Sequence, residues 1–263
     1  MDVLGYFGAI LIGVVLGLTG GGGSILTVPI LVYILAINPV LATAYSLFVV
    51  GSTALVGAVR NIQKGLVDFK TAIVFSIPTC ITVYLTRRYL VPNIPDQLFS
   101  IGDFYLTKNV AIMLFFALIM MLAAFIMITR KKDDIGNANN FYYKYPLIVF
   151  EGILVGILTG VVGAGGGFLI IPALVILVKL PMKKAVATSL LIIAVNSLIG
   201  FLGDVQNLEI NWLFLISFTL CAISGIFIGM YLSNFIDGKK LKKGFGWFVL
   251  IMAFYIIFKE VTQ

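Results

Sequence analysis

The chain has no histidine, only two cysteines and little charge, with 11% of its 263 residues Asp, Glu, Lys or Arg. Without histidine the commonest metal ligand and neutral-pH general base is missing. Cys80 and Cys221 each lie alone in an apolar stretch. Neither can open a metal or redox motif, and both read as small packing residues. No serine or cysteine stands in a recognisable nucleophile motif. Together these absences argue against an enzyme and call for no metal and no cofactor. A basic n-region is lacking too: Met1-Asp2-Val3 opens with an acid, so the first apolar stretch is expected to remain as a helix rather than act as a signal peptide.

What is present is apolar. At 61% hydrophobic residues and a mean hydropathy of +1.12, the chain carries more apolar surface than one soluble core could cover, which indicates an all-α polytopic membrane protein. The net charge of +7 has no soluble domain on which to meet a nucleic acid, and topology explains it better.

Apolar stretches fall at about 3–19, 25–37, 40–59, 69–86, 108–128, 146–162, 168–180, 185–203, 211–233 and 245–258. That makes ten transmembrane segments, five on each side of a polar linker at 130–145. The first repeat is then 1–129 and the second 146–263. The second and seventh segments are short: at 1.5 Å per residue each spans about 20 Å against a hydrocarbon core of about 30 Å. If all ten cross, 14 of the 18 Lys and Arg residues fall on one side, leaving Arg87, Arg88, Lys108 and Lys259 on the other. This bias puts the linker in the cytoplasm and both termini outside.

Two glycine runs precede the short segments: Gly20-Gly21-Gly22-Gly23-Ser24 and Gly163-Ala164-Gly165-Gly166-Gly167. They are related by an offset of 143 residues that holds without a gap over 20–63, aligning Pro29 with Pro172, Ser46 with Ser189, Gly57 with Gly200 and Gln63 with Gln206. Shared apolar composition would not keep such a register, which indicates internal duplication. Five crossings per half make the second copy inverted, and the loop charges agree. The basic loop 60–70 falls inside, while its counterpart 204–209, with Asp204 and Glu209, falls outside.

Non-helical backbone at membrane depth is tolerated only where protein or a wet cavity surrounds it. Glycines permit such a loop, and a helix starting just after it turns N–H groups and the positive end of its dipole toward the cavity. Two such helix starts, near Ser24 and Gly167, would converge on one point and favour a small anion. Pro29 and Pro172 are expected to kink the half-helices. The following helices add Thr43, Tyr45, Ser46, Ser52 and Thr53 in one half and Thr188, Ser189, Asn196 and Ser197 in the other. Seven-residue spacing puts Ser46 with Thr53, and Ser189 with Asn196, on single helix faces. The candidate substrate-binding residues are Gly21, Gly22, Gly23, Ser24, Ser46, Thr53, Gly165, Gly166, Gly167, Ser189 and Asn196. Glu151 and Asp204 read as interfacial, and Arg60 as snorkelling at the inner boundary.

The motifs Thr19-Gly20-Gly21-Gly22-Gly23-Ser24 with Pro29, and Leu158-Thr159-Gly160 leading to Gly163-Ala164-Gly165-Gly166-Gly167 with Pro172 and Ala187-Thr188-Ser189-Leu190, resemble the TauE/SafE family of sulfite and sulfonate exporters. The first half departs from the pattern at Tyr45, where the second has Thr188. The resemblance implies a bacterial inner-membrane transporter that moves small sulfur-containing anions such as sulfite, sulfoacetate or related organosulfonates outward. Backbone amides and hydroxyls can wrap a sulfonate's oxygens and still release it.

The expected function is therefore a secondary anion transporter with its site between two inverted repeats, its partners being that anion and the lipid bilayer. An anion channel could use the same site, while a non-transporting scaffold would bind a partner or anionic lipid through the 239–243 lysines or the linker, independently of the glycine loops. The pattern is also compatible with a homo-oligomer.

Overall fold

The computed structural model describes residues 2–95, 97–101, 104–129, 145–163, 165–176, 178, 180–233, 235 and 238–262. The linker, apart from Tyr145, lies outside the described residues, as do Ala164 of the second glycine run and Lys179. The elements are α1 Asp2–Thr19, α2 Ser24–Pro29, α3 Pro39–Gln63, α4 Phe69–Leu85, β1 Gln97–Ile101, β2 Phe104–Thr107, α5 Lys108–Thr129, α6 Tyr145–Val162, α7 Gly167–Ile176, α8 Met182–Asp204, α9 Trp212–Leu232 and α10 Gly238–Thr262.

Helix starts follow local chemistry that recurs between the halves. The Asp68 carboxylate accepts the Thr71 N–H at 3.0 Å to cap α4, and the Asn211 side chain accepts the Phe214 N–H at 3.1 Å to cap α9. Both pairs sit at the 143-residue offset. Asn38 caps α3 in the same way, with Pro39 in the first turn.

α2 and α7 are short, as expected. At about 1.5 Å per residue, the segment Ser24–Ile34 rises about 16 Å and α7 about 15 Å. The expected kink at Pro29 takes a particular form: α2 widens there into a π turn over Ile30–Ile34, because proline has no N–H for an α-helical bond and its ring crowds the preceding turn. α7 runs through Pro172 without a break. α4 also continues as a π turn, Thr86–Leu90, one turn past its expected end. The antiparallel hairpin of β1 and β2 was not read from the sequence.

α3 and α8 form the centre, each two-thirds buried. They cross antiparallel, with Gly51 against Leu198 and Gly200 against Leu47. α1 packs along α9 while α6 packs along α4; α5 packs on α10; α4 touches α8 while α3 touches α9; and α2 meets α7. Exchanging each helix with the one five later turns this set of contacts into itself. Around the centre the surface is apolar: Ile73, Ile77, Ile81 and Leu85 form an exposed stripe on α4, Leu118, Leu122 and Phe125 another on α5, and Ile251, Phe254 and Phe258 a third on α10. Water disfavours a surface of that extent and lipid accommodates it. Among the described residues, four helices are long and apolar enough to cross a membrane: Pro39–Gln63, Phe69–Leu90, Lys183–Asp204 and Trp212–Leu232.

Candidate functional site

Both glycine loops begin alike. α1 ends with the Gly20 N–H donating to the Leu16 carbonyl at 2.8 Å, and α6 with the Gly163 N–H donating to the Thr159 carbonyl at 2.8 Å. The first loop is then held by its own residues. Thr19 Oγ1 accepts the Gly22 N–H at 2.9 Å, and Ser24 Oγ donates to the Gly21 carbonyl at 2.7 Å. The N–H groups of Ile25 and Leu26 turn back to Gly22 and Gly23, so any amide offered to a ligand there must precede Ile25. In the second loop Gly165 and Gly166 have φ of +64° and +66°, a left-handed backbone that costs a residue with a Cβ about 1–2 kcal/mol.

The two loops touch at their backbones. A Cβ placed on Gly21 would lie 2.6 Å from the Gly167 carbonyl oxygen, and one on Gly167 would lie 2.6 Å from Gly21 Cα. The contact needs glycine on both sides, which explains why contiguous glycines occur where a continuous helix would not tolerate them.

Faces of α3 and α8 surround this contact. A Cβ on Gly165 would meet Ser197 Oγ and Val50 Cγ1 at 2.9 Å and Ile193 Cγ2 at 3.3 Å. Val50 lies between Ser46 and Thr53 on one face of α3, and Ile193 lies between Ser189 and Asn196 on the matching face of α8. All four polar residues are fully buried, but they divide into two kinds. Ser189 is occupied: its Oγ lies 3.0 Å from the Gly20 carbonyl and 2.9 Å from that of Val186, pinning the first loop from the opposite half of the chain. Among the described residues, Ser46 Oγ, Thr53 Oγ1 and Asn196 Nδ2 have no hydrogen-bond partner, and neither do Ser197 Oγ and Thr159 Oγ1. Asn196 Oδ1 accepts from the Cys80 thiol at 2.8 Å. Each such buried, unpartnered group costs about 1–3 kcal/mol, and a cluster of them in a packed core marks a place kept for something other than stability.

Two residues from the sequence reading have a different task. Tyr45 Oη accepts the Asn211 N–H at 2.8 Å, and Thr188 Oγ1 accepts the Asp68 N–H at 3.0 Å. They occupy equivalent positions and each ties down the turn that caps the helix beyond. Thr188→Val should therefore lower thermal stability by about 1 kcal/mol with the KM for transport unchanged; a thermal melt and a transport assay on the same preparation check both parts.

Sequence reasoning missed Arg87. Counted there as an outer-loop cation, it is wholly buried, because the π turn carries α4 past its expected end. Asp204, expected in an outer loop, is buried beside it, with Arg87 Nη1 3.3 Å from Asp204 Oδ2 and 3.0 Å from Thr43 Oγ1. A signal was available in the repeat, since Arg87 aligns with Met230 inside an apolar segment. Glu151 is half-buried with Oε2 unpartnered, and the exposed Arg60 stacks on Phe227 at 5.6 Å. Among the described residues no group of three or more Cys, Asp or Glu is placed to hold a metal ion.

Comparison with known proteins finds membrane transporters. The chain is 29% identical to a probable membrane transporter protein of Xylella fastidiosa (strain Temecula1) over 256 residues, which covers 95% of this chain and 92% of that one. It is also 29% identical over 259 residues to the probable membrane transporter protein YunE of Bacillus subtilis, covering 93% and 90%. A probable membrane transporter protein of Haemophilus influenzae is 24% identical over 273 residues, covering 95% of each. No solved structure matches the chain. The family model described as sulfite exporter TauE/SafE matches residues 6–256, and the chain belongs to that family of membrane transporters.

Proposed function

We propose that the protein is a secondary transporter that moves small sulfur-containing anions, such as sulfite or an organosulfonate, outward across the inner membrane. The observation that carries this reading is the backbone contact of Gly21 with Gly167, beside the α3 and α8 faces on which Ser46, Thr53 and Asn196 are buried and unpartnered among the described residues. Unpartnered hydroxyls also lie directly against the second loop, Ser197 Oγ at Gly165 and Thr159 Oγ1 at Gly166, and such donors at loops built on glycine suit an oxyanion that leaves after it binds. The helix exchange seen in the packing supports two five-helix repeats; the reading takes them as inverted with ten crossings and, on the Lys and Arg bias of the sequence, puts both termini outside and the 130–145 linker in the cytoplasm. In this reading the site residues are Gly21, Gly22, Gly23, Ser24, Ser46, Thr53, Gly165, Gly166, Gly167, Ser189 and Asn196. The described residues among these are all buried, so rocking of one repeat against the other opens the site to each side in turn.

Counterflow in proteoliposomes loaded with sulfite, sulfoacetate, thiosulfate, sulfate or chloride tests the proposal. Saturable, accelerated exchange of a sulfur anion is expected, and Gly165→Val should abolish it, because a β-branched residue cannot adopt that backbone. Flux without saturation or counterflow would make the protein a channel. No exchange of any of the five, with both proteins inserted, would overturn the reading in favour of a scaffold.

A further inference from the structure

The glycine loops and helix faces recur in both halves, but the buried charge does not. Where one half brings together Arg87, Thr43 and Asp204, the positions 143 residues away are Met230, Val186 and, for Asp204, Asn61. The guanidinium lies against the second glycine loop: a Cβ placed on Gly163 would be 2.6 Å from Arg87 Nη2. It also stands at the head of the polar face of α3, because Thr43, Ser46 and Thr53 follow one another along it.

Only one corner of this guanidinium is used. Nη1 donates to Thr43 Oγ1 at 3.0 Å and lies 3.3 Å from Asp204 Oδ2, an ion pair without hydrogen-bond alignment. Nε and Nη2 have no partner among the described residues although the residue has no exposed surface. Their N–H bonds share one edge of the planar group, the edge that grips two oxygens of a carboxylate, sulfonate or phosphate side by side. The adjacent Arg88 shows the structural alternative: its Nη1 is met by Tyr84 Oη at 3.0 Å and Gln206 Oε1 at 2.7 Å. A buried guanidinium with an entire donor edge unmatched is costly at membrane depth, and such groups mark ion or substrate pathways.

We propose that Arg87 is the charged ligand of the transported anion, its Nε–Nη2 edge taking two oxygens of a singly charged oxyanion while Asp204 and Thr43 hold Nη1. This rests on the reading of the glycine loops as an anion site and adds to it the group that distinguishes an oxyanion from a halide. Asp204 acts as a resident counter-charge. It balances Arg87 when the site is empty and weakens the hold on a second anion, which lets the anion leave.

The test compares Arg87→Lys and Asp204→Asn with the full-length wild type. Sulfite counterflow gives KM and maximal rate, and the shift in melting temperature of the detergent-solubilised protein on adding sulfite gives binding without transport. Lysine keeps the charge and the pairing with Asp204 but loses the planar edge, so the KM for sulfite should rise roughly tenfold, with a smaller change for chloride. Asp204→Asn should lower the KM and slow the maximal rate. An arginine that merely braced α4 against α8 would behave otherwise, with both single variants losing stability together and KM unchanged. Wild-type exchange with unchanged KM in Arg87→Lys would overturn the assignment and leave the transporter reading standing. If Arg87→Lys does not fold, an unchanged or raised KM in Asp204→Asn overturns it as well. Sulfite-induced stabilisation that depends on Arg87, without exchange, would keep the assignment and remove the transporter reading. Neither stabilisation nor exchange in the wild type would remove both.

Discussion

Gly21→Ala is expected to abolish most anion exchange while the protein still inserts and stays folded. A single methyl group does this because of where it points. It would lie 2.6 Å from the carbonyl oxygen and 2.7 Å from the carbonyl carbon of Gly167, whereas non-bonded carbon atoms rest at about 3.5–4.0 Å. The obstacle is backbone, so no rotamer change relieves it, and the loops must part by on the order of 1 Å. Overpacking of this kind costs about 1–3 kcal/mol. That cost falls on the state in which the loops touch, and it lowers the population of that state roughly 5- to 150-fold. Insertion is spared because alanine is no less apolar than glycine and the flanking segments are unchanged. Counterflow and a thermal melt on one preparation are the measurement. Exchange above half of the wild-type rate would show that the Gly21–Gly167 contact is incidental.

The parts of this site that were legible in the sequence are those in which one residue type carries the whole requirement. Left-handed backbone at Gly165 and close approach at Gly21 can only be met by glycine, so both stand out as contiguous glycines in an apolar setting. The repeat was legible for the same reason: Gly, Pro and Ser are informative letters among Leu, Ile and Val. Helix positions followed from hydrophobic length. The stretches 40–59 and 185–203 become Pro39–Gln63 and Met182–Asp204, longer mainly because a polar last turn from Arg60 to Gln63 extends the first and a polar first turn with Lys183 and Lys184 extends the second. Arg87 was hidden because its burial depends on partners far away in the chain, Thr43 and Asp204, and an arginine pair at the end of an apolar run reads as an interfacial anchor. Tyr45 and Ser189 were legible as polar groups but not in role, since their partners, the Asn211 N–H and the Gly20 carbonyl, are backbone atoms that carry no sequence mark. The β1–β2 hairpin did carry a sequence signal, the two-residue Gly102-Asp103 step between Gln97–Ile101 and Phe104–Thr107, but a search for long apolar runs passes over strands that short.

Thr53→Val should make the protein more stable and a poorer transporter at the same time. Valine matches threonine in shape and in its β-branched preference within a helix, so the exchange removes a hydroxyl and little else. Threonines in these helices ordinarily return that hydroxyl to the carbonyl four residues back: Thr82 Oγ1 donates to the Pro78 carbonyl at 2.8 Å and Thr219 Oγ1 to that of Leu215 at 2.6 Å. Thr53 Oγ1 does not, and it is buried without a partner among the described residues. Replacing it with a methyl group removes a desolvation cost of about 1–3 kcal/mol, so the melting temperature should rise. If the hydroxyl instead serves the anion, the occupied site loses a hydrogen bond to a charged group, worth about 1.5–3 kcal/mol, and the KM for sulfite in counterflow should increase roughly tenfold or more. Ser46→Ala, one helix face with Thr53 and equally unpartnered, should behave the same way. A hydroxyl that bonded its own backbone would give the reverse pattern, with a lower melting temperature and unchanged transport. The sign of the two changes, more than their size, therefore separates a ligand-binding face from a structural one. A site that keeps polar groups unsatisfied in its core can be improved as a fold only by being damaged as a carrier.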